Sequence, residues 1–131
     1  ETYLQKALAI DPEDQGNMLA WSNFLVQEER DQENVDFLDQ IDRSGDVDPQ
    51  IYWNMAKSYD RLENIKKARE NYLLAFNRFQ DSPDFLHDII DFFQSTGARA
   101  ELKAALVRYL KLVPTDDEMQ ARLDELNAET D

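Results

Sequence analysis

The fold is decided by residues 49–82, which read PQIYWNMAKSYDRLENIKKARENYLLAFNRFQDS. In the first half, apolar and small residues recur at the spacing of one helical face: Tyr52, Met55, Ala56 and Tyr59. The second half repeats the pattern with Ala68, Tyr72 and Ala75. Side chains three and four residues apart lie on the same side of an α-helix. The stretch therefore predicts two helices joined by a short turn.

The same pattern recurs along the whole chain at a shift of 34 residues, without a gap. Leu25, Tyr59 and Phe93 align at this shift, and other apolar positions follow the same register. A sustained period of this length is typical of repeat proteins, in which each unit buries its apolar face against the next. The period and the turn residues predict eight helices, at about residues 1–10, 15–29, 33–43, 49–62, 65–79, 83–96, 99–112 and 116–128.

Helix boundaries are indicated by capping residues. Asp48 and Ser82 each precede a proline, and an N-cap followed by proline is a common helix start. Gly97 stands where a left-handed residue would close a helix. Thr115 and Glu118 have the spacing of a capping box, which predicts the start of the last helix.

Composition narrows the possible functions of the chain. It has 131 residues, 28 acidic against 14 basic side chains, a formal net charge of −14 and no cysteine. The absence of cysteine excludes disulfides and thiolate metal sites from this sequence. The acidic balance disfavours binding to nucleic acid, because phosphates are held by positive surfaces. No apolar run approaches the roughly 20 residues of a membrane helix, so we expect no membrane insertion and a cytoplasmic protein.

With these residues, the chain resembles the tetratricopeptide repeat family. The resemblance implies an all-α, right-handed superhelix of helix–turn–helix repeats. Its divisions would be the second helix of a truncated repeat at 1–14, full repeats at 15–48, 49–82 and 83–114, and a capping helix at 115–131. The repeat at 15–48 departs from the family pattern, because Asn34 and Ile41 replace the usual alanines.

The first predicted helix lacks the helix on which it would normally pack. Tyr3, Leu4, Ala7 and Leu8 would be covered by the first helix of the same repeat. The chain is therefore interpreted as a fragment of a longer repeat protein. Apolar side chains left exposed at this helix could also promote self-association.

The resemblance places the first helix of each repeat along a concave groove that binds a peptide or a partner protein. The groove residues expected here are Asn23, Trp53, Asn54, Lys57, Arg61, His87, Asp88 and Asp91. Trp53 follows Tyr52, so the two cannot face the same way on one helix. If Tyr52 is in the core, Trp53 is either a partly exposed interface anchor or packs on a neighbouring helix of its own chain.

Some members of the family hold a C-terminal carboxylate in a clamp of asparagines, lysines and an arginine. Asn23 and Asn54 match the two clamp asparagines, whereas Asp84 and Asp88 stand where two cations are needed. Two acids would repel a carboxylate. We therefore expect no binding of peptides that end in EEVD.

A catalytic or metal site has little support in the sequence. His87, Asp88 and Asp91 share a helical face with Asp84 and could ligate a divalent metal, although one helix rarely completes such a site. There is no G-x-S-x-G motif and no glycine-rich phosphate loop. The sequence predicts a non-catalytic scaffold for protein interaction without a cofactor. The alternatives are a structural spacer that binds nothing and, less favoured, a metal-dependent activity at His87.

Overall fold

The protein is all-α over the part of the chain that its structure, a computed structural model, describes: residues 1–11, 14–41 and 47–129. Those stretches contain eight helices and no strand. The helices are α1 (Thr2–Ile10), α2 (Gln15–Gln27), α3 (Asp31–Asp39), α4 (Pro49–Arg61), α5 (Ile65–Phe79), α6 (Pro83–Thr96), α7 (Arg99–Leu112) and α8 (Asp117–Glu129). The predicted all-α fold is confirmed.

Local side chains explain where the helices start. The Asp48 carboxylate accepts a hydrogen bond from the Gln50 amide at 2.9 Å, and the Ser82 hydroxyl accepts one from the Phe85 amide at 3.3 Å. Each cap precedes a proline at the first helical position, as predicted. Asp14 caps α2 in the same way, through the amide of Asn17 at 3.0 Å. These side chains satisfy amides that have no partner inside the helix.

The turn between the two helices of a repeat has the same backbone form three times, 34 residues apart. Glu29, Glu63 and Gly97 have positive φ angles of 57°, 63° and 73°. In each turn the next amide donates to the carbonyl five residues before it, at 2.8 Å from Arg30 to Leu25, 2.9 Å from Asn64 to Tyr59 and 3.1 Å from Ala98 to Phe93. This hydrogen bond is the signature of a Schellman helix end. The predicted period is therefore present in the backbone.

Two predicted helix starts differ from the structure. The third helix was expected at 33–43, but α3 begins at Asp31 directly after the left-handed residue Glu29. Asp31 and Glu33 lie in its first turn, where negative charge favours a helix N-terminus. The C-terminal end expected at residue 43 lies outside the described residues.

The capping box predicted for the last helix is also wrong. Asp116, rather than Thr115, caps α8, because its Oδ1 accepts a hydrogen bond from the Met119 amide at 3.1 Å. Its other carboxylate oxygen accepts a hydrogen bond from the Tyr109 hydroxyl at 2.8 Å. The tyrosine contact fixes the aspartate at the cap position, and sequence spacing alone does not show it.

The chain divides into two compact units, Glu1–Ala75 and Phe76–Asp131. In the first unit α2 packs on α1, α3 and α4, and α3 also packs on α4. Its apolar core contains Leu25, Leu38, Ile51, Met55 and Ala56. In the second unit α7 packs on α6 and α8 around Phe85, Phe92, Ile89, Leu106 and Met119.

A polar layer lies inside the first unit. Ser22, Asn34, Asn54 and Ser58 are all buried, and they are joined by hydrogen bonds of 2.8 to 2.9 Å. Asn34 occupies one of the positions at which the family usually has alanine, and this is where the sequence was interpreted as degenerate. Buried polar groups are tolerated when they have partners, so the substitution joins helices instead of weakening the repeat.

The α1 helix has no buried residue. Tyr3 is 80% exposed, whereas Asn71, two repeats further on, is 6% exposed. Ile10 is also exposed. The apolar face expected for α1 is therefore open, while its association with a second copy stays a prediction. Among the described residues, no helix is long and apolar enough to cross a membrane.

Candidate functional site

The candidate site is a cleft between α2 and α4 in the first unit, with a volume of about 470 Å³. We call it the α2–α4 cleft. The α2 side and the turn after it supply Asn23, Val26, Gln27 and Glu29. The α4 side supplies Gln50, Trp53, Asn54, Lys57 and Arg61. Five of the eight predicted groove residues lie here: Asn23, Trp53, Asn54, Lys57 and Arg61.

The α4 side of the cleft is a row of long side chains. Trp53, Lys57 and Arg61 are four residues apart and therefore share one helical face. Tyr52 faces a different cleft, which also contains Tyr59 and Leu74. Both Tyr52 and Trp53 are half-buried, so Tyr52 is not the fully buried core residue that the sequence suggested. Trp53 is partly exposed and lines the α2–α4 cleft.

Asn54 is buried and its amide is occupied within the chain. Its Nδ2 donates hydrogen bonds to Ser22 Oγ at 2.9 Å and to Asn23 Oδ1 at 2.7 Å. Its Oδ1 accepts one from Gln50 Nε2 at 3.0 Å. An amide nitrogen has two hydrogens, and both are used. Asn54 therefore cannot act as a clamp donor without giving up an internal bond, which adds to the case against EEVD peptides.

Arg61 is held at the end of the row by two acceptors from the other helices. Its Nη1 donates to the Val26 carbonyl at 2.9 Å and to Asp31 Oδ1 at 3.2 Å. Asp31 is buried, and its Oδ1 also accepts a 2.8 Å hydrogen bond from Ser58 Oγ. A guanidinium carries five N–H donors in one plane. The contacts at Nη1 orient this plane and leave Nε and Nη2 for a ligand.

The three other predicted groove residues, His87, Asp88 and Asp91, lie on α6 in the second unit. His87 Nδ1 is 3.4 Å from Asp91 Oδ2, and Asp91 Oδ1 is 3.1 Å from Arg122 Nη1. The ring of His87 also meets the ring of Tyr109 edge-on, at 6.3 Å between centroids.

The geometry around His87 gives little support to a metal site. The arginine next to Asp91 competes with a cation for the carboxylate. Within the described stretches, no three histidine or acidic side chains come together as metal ligands.

The sequence interpretation missed three lining residues of the cleft: Gln27, Glu29 and Gln50. Helical spacing could have found two of them, because Gln27 is four residues after Asn23 and Gln50 is four residues before Asn54. Glu29 could not be found in this way, since it lies beyond the end of α2 and has a left-handed backbone.

Comparison with known proteins identifies relatives in sequence and in fold. The chain is 27% identical over 120 residues to the TPR repeat-containing protein YpiA of Bacillus subtilis (strain 168). This alignment covers 89% of the chain but spans only 28% of the length of that protein. A crystal structure of MamA matches 97% of the chain and 74% of its own, with a TM-score of 0.81 and 11% identity.

A second solved structure has the same fold. It is TTC0263, a thermophilic TPR protein in Thermus thermophilus, which matches with a TM-score of 0.71 and 17% identity. The match covers 95% of the present chain and 70% of the other. At such identities the two solved structures support the fold alone.

At the level of the family, the YpiA-like, C-terminal tetratricopeptide repeats match residues 49–116, which is more than half of the chain. The resemblance to tetratricopeptide repeats that the sequence suggested is thereby confirmed. The chain belongs to the family of YpiA-like C-terminal tetratricopeptide repeats.

Proposed function

We propose that the chain is a non-catalytic interaction module that receives an extended peptide segment of a partner protein in its α2–α4 cleft. The family and the fold support a repeat scaffold for protein–protein interaction. The present proposal adds the location of the ligand and its kind.

The observation that carries the proposal is the composition of the cleft. Trp53 is half-buried beside Lys57 and Arg61, in a cleft whose volume of about 470 Å³ is within the range of ligand pockets. Tryptophan and arginine are the residues that most often dominate the energy of protein interfaces. A half-buried indole offers apolar area to a side chain of the partner, and its burial on binding releases water.

The lining residues of the cleft support binding rather than catalysis. They include no serine, cysteine or histidine, and Glu29 is their one carboxylate. Nucleophilic catalysis needs a nucleophile beside a base, and glycoside hydrolysis needs two carboxyl groups. The described part of the cleft wall provides neither. We therefore propose no reaction and no cofactor for this cleft.

Selection from a random dodecapeptide display library against the immobilised chain tests the proposal. Enriched peptides are labelled with fluorescein, and their Kd values are measured by anisotropy with the wild type and with Trp53→Ala. We expect Trp53→Ala to weaken binding about tenfold or more, in the range of interface hot spots. Lys57→Glu, tested separately, weakens binding of any peptide that reaches the same helical face.

Tyr52→Ala is the matched control, because it removes a half-buried aromatic ring from the next position on the same helix, outside the cleft. We expect it to leave Kd within about twofold, with the fold of each variant checked by circular dichroism. Enriched peptides that bind Trp53→Ala as tightly as the wild type would place the site elsewhere. A selection that enriches no peptide would favour the structural spacer.

A further inference from the structure

We infer that the α2–α4 cleft selects peptides that carry a side-chain carboxylate about four residues from an aromatic or large apolar residue. This inference rests on the proposed function and names the chemical class of the ligand. It is argued from the spacing of the α4 row, the anchoring of Arg61 and the charges of the lining residues.

The spacing of the row sets the spacing in the ligand. Trp53 and Arg61 are eight residues apart on α4, which corresponds to about 12 Å at the helical rise of 1.5 Å per residue. An extended peptide advances about 3.3 Å per residue. A peptide lying along α4 with an apolar side chain on Trp53 therefore presents to Arg61 a residue about four positions away.

The anchoring of Arg61 prepares it for a carboxylate. Only Nη1 contacts Val26 and Asp31. The edge formed by Nε and Nη2 can donate two parallel hydrogen bonds, the geometry that a carboxylate accepts. Because the buried Asp31 already fixes the side chain, less rotamer freedom is lost when a ligand binds.

The charges of the lining residues favour an acidic ligand. The whole chain carries 28 acidic and 14 basic residues. The lining of the cleft reverses this ratio, with two cations, Lys57 and Arg61, against Glu29. Lys57 lies between Trp53 and Arg61 in the row, so no acidic side chain interrupts the path of the ligand along α4.

The end of the cleft near Asn23 can hold the peptide backbone. Asn23 is exposed, and its Oδ1 accepts the hydrogen bond from Asn54, so its own Nδ2 is directed to donate elsewhere. Such a donor can bind a peptide carbonyl of any sequence, whereas the selectivity comes from Trp53 and Arg61.

Two display libraries of twelve-residue peptides test the inference. One fixes Phe and, four residues later, Glu; the other fixes Phe and Gln at the same positions, and both include the reversed order. All other positions are random apart from the exclusion of Asp and Glu. We expect the Glu library to enrich on the wild type. Individual Glu peptides, synthesised with blocked ends, should bind about ten- to hundredfold more tightly than their Gln counterparts, as for hydrogen bonds to charged groups.

The preference for Glu should depend on Arg61. In Arg61→Gln the ratio of Kd values between Gln and Glu peptides should fall below about threefold. Arg61→Lys is the second variant, because it keeps a positive charge beside the buried Asp31 if the first variant fails to fold. It too should lose most of the preference, since an ammonium lacks the planar fork. The control is Lys66→Gln, which removes an exposed cation from α5, outside the cleft, and should leave the ratio unchanged.

The outcomes separate this inference from the proposed function. If both libraries yield binders of equal affinity that are lost in Trp53→Ala, the cleft binds peptides but the carboxylate is not selected, and the inference is overturned alone. A preference for Glu that persists in both Arg61 variants overturns it as well. If neither library nor the unrestricted one yields binders sensitive to Trp53→Ala, the proposed function fails with it.

Discussion

Ser22 Oγ donates a 2.8 Å hydrogen bond to Asn34 Oδ1 at a point where neither residue has any surface exposed to solvent. The Nδ2 of Asn34 in turn donates to Ser58 Oγ at 2.9 Å. One asparagine on α3 thereby links α2 to α4. The same layer continues through Asn54 to the wall of the α2–α4 cleft, so the polar core and the candidate site are parts of one hydrogen-bonded arrangement.

Asn34→Ala should destabilise the protein although it restores the residue type usual for the family. The substitution leaves Ser22 without its acceptor and removes the donor to Ser58. Unsatisfied buried polar groups cost about 1–3 kcal/mol, so we expect a loss of about 2 kcal/mol in the free energy of unfolding. Urea denaturation followed by circular dichroism measures this loss. Gln32→Ala, an exposed change on the same helix, should stay within about 0.5 kcal/mol of the wild type.

Glu63→Gly should stabilise the protein. Its φ of 63° is costly for a residue with a Cβ and easy for glycine, and we expect a gain of about 1 kcal/mol in the free energy of unfolding. Glu70→Gly is the matched control within α5, where glycine should cost about 1 kcal/mol. Thermal and urea unfolding of the two variants should shift in opposite directions. A loss of stability in both would contradict the turn geometry.

Gly97→Ala tests the same backbone form from the other side. A Cβ at residue 97 would have no other heavy atom within 4 Å, so its cost is conformational only. With φ at 73°, we expect a loss of about 1 kcal/mol. Gly97→Asn should lose less, because asparagine enters the left-handed region more readily than alanine. Equal unfolding midpoints for glycine, asparagine and alanine would show that the turn relaxes at no cost.

Tyr109→Phe should raise the pKa of Asp116. The hydroxyl of Tyr109 donates to the carboxylate, which is the main reason that the pKa of Asp116 lies below its ordinary value of 3.8. A lowered pKa in the folded state stabilises the protein above the unfolded value, and this contribution is lost as the pH falls through the folded one. The stability difference between wild type and Tyr109→Phe should therefore be largest near neutral pH and shrink in acid.

Carboxyl NMR titration measures the pKa of Asp116 directly, and urea unfolding at several pH values follows the stability difference. The exposed change Tyr3→Phe is the control and should leave the pKa of Asp116 in place. An unchanged titration of Asp116 in Tyr109→Phe would mean that another group holds its pKa down.

The open face of α1 should cause weak self-association. Tyr3 and Ile10 are 80% and 86% exposed, and burial of such side chains against a second copy is favourable. Sedimentation velocity at protein concentrations up to about 1 mM should show a rising weight-average coefficient. Tyr3→Ser combined with Ile10→Ser should abolish the rise. Leu73→Ser with Leu74→Ser removes two exposed apolar residues from α5 and should not. A wild type that stays monomeric would refute the prediction.

The helices could be predicted because their signal is repeated. Leu25, Tyr59 and Phe93 mark the same place in three repeats, and the period averages out irregular positions. Trp53, Lys57 and Arg61 could be predicted as one surface for a similar reason, because helical spacing alone puts them on one face.

The features that escaped prediction depend on contacts between distant residues. Asn34 was interpreted as a departure from the repeat, since only the folded chain brings Ser22 and Ser58 to it. The cap at Asp116 likewise depends on Tyr109. Glu63 gives no sign of a left-handed backbone, because glutamate has no preference for that region. Tertiary context decided each of these cases.

The recurrence of one turn at residues 29, 63 and 97 has a consequence for how such an array can change. Because the chain leaves each of these turns with the same backbone form, a cut at equivalent points yields interchangeable cassettes of 34 residues. Recombination in frame between copies would duplicate, delete or shuffle a cassette without rebuilding a loop. The cleft residues of α4 lie within one such cassette, so a new binding face could be inserted as a unit.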